Sequence, residues 1–133
     1  MKSMIQIILM TLAVIAVSCK KDSVPINGTS NNPIVGKWAV SSFVDNSINK
    51  TSEFAAYSFA FGSNNSLQVK GGTMMNMCNW TFTDSVYHFN MMGMHSNALD
   101  DMNGDWRLMN YSDTTCIFNS ALSNDRMFIL KRS

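Results

Sequence analysis

From Gly36 onward the chain is cut into short apolar or aromatic segments, each closed by a cluster of turn-forming residues. The segments are 37–44 "KWAVSSFV", 54–61 "FAAYSFAF", 66–70 "SLQVK", 73–82 "TMMNMCNWTF", 85–92 "SVYHFNMM", 104–111 "GDWRLMNY", 114–119 "TTCIFN" and 126–132 "RMFILKR". Between them lie "DNSINKT", "GSNN", "GG", "TD", "GMHSNALDDMN", "SD" and "ALSND", rich in the Gly, Asn and Asp that accept positive φ. Apolar residues alternate within the segments. Tyr57, Phe59 and Phe61 share a face, as do Cys78, Trp80 and Phe82, and Trp106 and Leu108. No segment carries a capped apolar stripe of helical period, although 95–103 has room for a short helical turn and 53–57 could be helical.

Short strands at this spacing predict an all-β sandwich or barrel. The mostly short connections favour an up-and-down antiparallel meander of about eight strands. Closing that sheet removes its exposed edges. Such a barrel is just wide enough to be filled by side chains or to hold one small ligand. Trp38, Tyr57, Phe59, Phe61, Trp80, Phe82, Phe89, Trp106, Phe118 and Phe128 offer enough volume to fill it. A packed interior and a ligand cavity are both open on this ground.

The N-terminus predicts a location. Lys2 is followed by an apolar run from Met4 to Val17, interrupted by Gln6 and Thr11 and ending in "AVSC". The run is shorter than the roughly 20 apolar residues a spanning helix needs. A basic start, apolar middle and small residues at the end are the parts of an export signal. Cys19 after Val17 and Ser18 resembles the invariant cysteine of a bacterial lipobox, with Ala16 where Leu is common. That resemblance implies cleavage before Cys19 and acylation of it. Two or more acyl chains anchor a protein stably. An ordinary signal peptide with a chance cysteine is the alternative. "KKDS" after Cys19 looks like the start of Bacteroidota lipoproteins, and the expected location is the outer membrane, on either face.

Residues 1–18 are thus expected to be a signal, and 19–35 the lipidated cysteine and a flexible tether, since "KKDSVPINGTSNNPIV" holds both prolines and many polar residues. Residues 36–133 are the expected domain. The chain has 133 residues, a net charge of +1 and only 14% charged residues. Nucleic-acid binding leaves a basic footprint, and none is visible here.

"IVGKWAV" at 34–40 resembles the first strand of a lipocalin-like domain, with Gly36 and Trp38 as its Gly-x-Trp. "YSFAFGSNNSLQV" and "GDWRLMNYSDTTCIF" resemble the second and late hairpins of small lipocalin-like lipoproteins, so the likeness runs over roughly 36–132. It implies that Trp38 closes one barrel end against a basic residue of the last strand. Arg132 is the natural partner, with Lys131 or Arg126 as substitutes. It also implies a binding role, for a small apolar molecule or a protein partner.

Other chemistry is thinner. Twelve methionines raise soft-metal binding, with Met91, Met92, Met94 and His95 the better candidates for copper. In strand geometry Met74 faces away from Met75 and Met77, and methionine is a common core filler. Cys78 and Cys116 are candidates for a disulfide in an oxidising compartment. It would close about 40 residues and add roughly 3–4 kcal/mol, although a plain meander does not make their strands neighbours. Two reduced, buried cysteines are the alternative. "DDMNGD" at 100–105 places Asp101, Asn103 and Asp105 like calcium ligands but lacks the glycine and closing acid of such a loop. His88 and His95 are the histidines and Glu53 the glutamate, with no nucleophile elbow, zinc signature or phosphate loop. The expectation is a lipid-anchored, exported binding protein without enzymatic activity or cofactor. A filled structural or interaction barrel and a copper protein are the alternatives.

Overall fold

The structure, a computed structural model, describes residues 32–91, 93 and 96–133. Its strands are β1 (Gly36–Asp45), β2 (Ile48–Asn49), β3 (Tyr57–Phe61), β4 (Ser66–Gly71), β5 (Met74–Thr83), β6 (Val86–Asn90), β7 (Gly104–Tyr111), β8 (Thr115–Ser120) and β9 (Arg126–Arg132). A 3-10 helix spans Thr51–Phe54, and α1 spans Asn97–Met102. All strand pairs are antiparallel. The order β1-β3-β4-β5-β6-β7-β8-β9 closes through β1 on β9, giving an eight-stranded up-and-down barrel. Among the described residues, every strand and every core residue lies between Ile34 and Arg132.

The differences from the sequence expectation have local causes. The segment 54–61 is strand only from Tyr57, because Thr51–Phe54 turns as a 3-10 helix that buries Phe54. The segment 85–92 pairs only as far as Asn90. β2 lies within "DNSINKT", where Asn46 and Ser47 both take positive φ and fold Ile48–Asn49 back onto Val44 and Asp45. Positive φ at both central residues defines the tight turn that suits hairpin twist. Asp84 and Ser85 make the same turn between β5 and β6.

Strict alternation along "KWAVSSFV" would put Trp38 and Phe43 on opposite faces. A bulge at Ser41 shifts the register between Val40 and Ser42, so both rings are fully buried inside the barrel. One extra residue in a strand re-aims everything after it. The interior is an aromatic lattice. Phe128 lies 4.6 Å from Trp106, 4.8 Å from Phe118, and 6.1 Å from both Phe43 and Phe89 between ring centroids. Phe89 and Phe61 continue it at 5.4 Å, and Tyr87 meets Phe118 edge-on at 5.5 Å. Side chains thus occupy the barrel axis.

The end where β1 finishes is capped from within the chain. Phe54 stacks on Phe43 at 4.7 Å. Ala98, Leu99 and Met102 of α1 are buried, and the Trp106 indole donates to the Met102 carbonyl at 2.8 Å. Lys50 Nζ lies 2.8 Å from carboxylate oxygens of both Asp45 and Asp101, tying β1, the 3-10 helix and α1 together. Arg126 reaches Asp45 at 3.2 Å, donates to the Asp101 carbonyl and lies 5.3 Å over the Trp106 ring.

The Lys50 hydrogen bond, aided by the Arg126 charge, holds the Asp45 carboxyl below its ordinary value of 3.8. Hydrogen bonds to Asp101 and Asp45 raise Lys50 above 10.5. For the acid, stability is present above 3.8 and lost as pH falls through the lower folded value. For the amine, it is present below 10.5 and lost as pH rises through the higher folded value. Urea midpoints are therefore expected to drop as the pH is taken below about 4, and Asp45→Asn should flatten that acid limb. An unchanged acid slope in the variant would remove Asp45 from the account.

Candidate functional site

The opposite end of the barrel gathers the start of β1, the end of β9 and the β3–β4, β5–β6 and β7–β8 turns. Here the structure brings Gly36, Trp38 and Arg132 together. Trp38 is fully buried, and its indole donates to the Ile34 carbonyl at 2.6 Å. The Arg132 guanidinium lies 4.1 Å over the Trp38 ring and donates to the Val35 and Asp113 carbonyls at 3.0 Å each. Gly36 has φ +136°, and a Cβ there would lie 1.6 Å from Arg132 Nη1. Lys131 is exposed opposite Ala39, and Arg126 serves the other end.

Residues 32–35, expected to belong to the tether, are part of this closure. Asn32 and Ile34 are buried. Asn32 Oδ1 accepts from the Tyr87 hydroxyl at 2.7 Å and the Ile34 amide at 3.1 Å. Asn32 Nδ2 is buried with no hydrogen-bond partner among the described residues. Burial is the main cause that raises the Tyr87 hydroxyl above its ordinary value.

Beside this plug the wall opens. β6 and β7 pair over three positions only, Tyr87 to Trp106, His88 to Asp105 and Phe89 to Gly104. β7 continues past them to Tyr111, with a register shift between Leu108 and Asn110 that leaves Met109 as the extra residue. The shift pairs Tyr111 with Cys116, whose side chain faces inward. The β7–β8 hairpin thus projects beyond the β5–β6 hairpin, leaving a lateral notch of about 260 Å³ between them. Phe82, Tyr87, Leu108 and Tyr111 supply its apolar walls, with Ser85, Met109 and Asn110 at the rim. Ligand pockets are typically ~300–1,000 Å³ and mostly apolar, and an apolar cavity of ~150 Å³ already binds benzene. The notch can take a small aromatic or a short aliphatic group, with hydroxyl and amide groups at its rim.

A disulfide between Cys78 and Cys116 is not formed. Cys78 lies in β5 opposite Leu67 and Cys116 in β8 opposite Tyr111 and Leu130, with β6 and β7 between the two strands. Burial pushes the Cys116 thiol up to about 11 and raises that of Cys78. Cys116 Sγ lies 4.0 Å from the Pro33 carbonyl.

Met91 is fully buried core, its amide donating to Asn103 Oδ1 at 2.7 Å. The other copper candidates, Met92, Met94 and His95, and the lipidation candidate Cys19 lie outside the described residues. Asp101, Asn103 and Asp105 serve different partners, namely Lys50, the Met91 amide and His88. Among the described residues no group of three His, Cys, Asp or Glu is placed to hold a metal ion.

Sequence reading missed the notch, the Asp45–Lys50–Asp101–Arg126 cluster and the His88–Asp105 pair at 2.6 Å.

No protein-family profile and no curated protein matches the chain. Among solved structures, a lipocalin-like protein from Bacteroides uniformis ATCC 8492 superposes with a TM-score of 0.56 at 10% identity, covering 76% of this chain and 99% of that chain. The barrel is lipocalin-like in fold.

Proposed function

We propose that this chain is a lipid-anchored, exported binding protein that takes a small apolar molecule in the notch between β6 and β7. The observation that carries the reading is the notch itself. Inward-facing Phe82, Tyr87, Leu108 and Tyr111 reach a solvent-open cavity of about 260 Å³, while the barrel axis is filled by rings. Binding at the notch therefore differs from occupation of a central calyx. The anchoring half of the proposal is supported by Cys19 and the preceding apolar run.

N-phenyl-1-naphthylamine, a neutral apolar fluorophore, tests the site. Titration into residues 20–133 should give a saturable, blue-shifted emission. Leu108→Trp, which fills the notch, should weaken binding at least about tenfold, roughly what loss of one or two buried groups produces. A variant that binds as the native chain does would overturn the site.

A second reading is an interaction protein whose contact surface is the outer sheet. Met75 and Met77 are 59% and 67% exposed on the outer face of β5. A groove of about 280 Å³ floored by Ser58 and Ala60 runs beside Met75 and Gln68. Exposed methionines make adaptable contact surfaces. Absence of probe binding in the native chain would favour this reading.

A further inference from the structure

We propose that the notch end of the barrel rests directly on an anionic lipid surface, with Met109 and Tyr111 entering the headgroup region. Three observations converge on this orientation.

The first is charge. The far end carries Asp45, Glu53, Asp100, Asp101, Asp105 and Asp125 against Lys50, Lys70, Arg107 and Arg126, six acids to four cations. Lys50 and Arg126 are taken up by ion pairs there. The notch end carries Lys37, Lys131 and Arg132 against Asp84 and Asp113. Such a dipole turns the notch end towards negative charge and the acidic end away from it.

The second is apolar exposure. Met109 is 58% and Tyr111 46% exposed on the projecting hairpin. Tyrosine suits a membrane interface, where its ring is buried and its hydroxyl stays wet. Ile48 and Leu122, at 61% and 85%, are more exposed still, but they sit at the acidic end, where an anionic surface repels.

The third is chain direction. The described chain begins at Asn32, hydrogen-bonded to the notch residue Tyr87. Lys20, Lys21 and Asp22 precede it in sequence and join the domain through this end. About thirteen residues separate Cys19 from Asn32, a contour of at most ~45 Å. A Cys19 held at a surface therefore tethers the domain through its notch end.

The inference goes beyond ligand binding and is tested without acylation or ligand. The chain from Lys20 is floated with vesicles of phosphatidylcholine alone or with one third phosphatidylglycerol, at low and at physiological salt. Partition to the anionic vesicles should be at least about tenfold greater and should weaken with salt. Lys37→Glu with Lys131→Glu should lower it about tenfold, and Met109→Ser with Tyr111→Ser severalfold. Ile48→Ser with Leu122→Ser should leave it within twofold. Near-ultraviolet circular dichroism checks that each surface variant is folded. Absence of vesicle binding overturns the proposal, as does equal loss from variants at the two ends. Native-like binding by both notch-end variants also overturns it, because Lys20 and Lys21 alone would then carry the attraction. Leu108→Trp separates the two proposals. It should weaken probe binding at least about tenfold yet leave vesicle partition within twofold.

Discussion

Phe128→Ala should destabilise the domain by about 3–5 kcal/mol, the range for a large ring removed from a packed core. Phe128 is fully buried and in ring contact with Phe43, Phe89, Trp106 and Phe118. Those neighbours sit on separate strands, each held by its own ladder, so the wall cannot collapse into the vacancy. A small domain has about 5–15 kcal/mol to lose in total, so the variant should show a much lower denaturant midpoint with an unchanged slope. Phe82→Ala is the control. Phe82 is half-buried at the notch, and its ring meets Tyr87 at 4.6 Å from one side. Solvent already reaches that space, so the loss should stay below about 2 kcal/mol. Equal losses at the two positions would mean that the interior is not packed as a unit and that the axis admits water.

The difference between Phe128 and Phe82 was only half legible in the sequence. Alternation marked both as inward, and period two needs nothing beyond a local backbone. What distinguishes them is how far each strand runs beside its neighbour. Three pairs between β6 and β7 leave Phe82 at an opening, and no pattern within "TMMNMCNWTF" records that. Bulges were hidden for a related reason. Ser41 looks like any polar residue of an alternating run, yet it carries Phe43 from the outer face to the core. Its hydroxyl donates to the Ile129 carbonyl at 3.3 Å, a contact made across 88 residues. Arg126 and Arg132 were legible as basic residues of the last strand. Their separate duties became visible only once both ends had a buried tryptophan, Trp106 at one and Trp38 at the other. Counting cysteines outside the cytoplasm suggested a bond, but strand order keeps Cys78 and Cys116 on different sectors of the wall.

Gly36→Ala is expected to cost about 2–4 kcal/mol, and its cause can be isolated. The backbone sits at φ +136°, where a side chain adds about 1–3 kcal/mol of strain. The new methyl would also collide with Arg132 Nη1. A guanidinium at the end of a long side chain can swing away, so the collision itself is cheap. Its consequences are not, because the displaced group leaves the Trp38 face, a contact of roughly 0.5–1 kcal/mol at a site this exposed. It also gives up its bonds to the Val35 and Asp113 carbonyls, which join the entering strand to the β7–β8 turn. A double-mutant cycle with Arg132→Ala divides these contributions. In the native background Gly36→Ala should show the full loss. With Arg132 already gone only the backbone strain should persist, so the two substitutions should fall short of additivity by about 1–2 kcal/mol. Full additivity would mean that Gly36 is required by its own backbone alone. The guanidinium over Trp38 would then be a bystander to the glycine instead of the reason no side chain fits there.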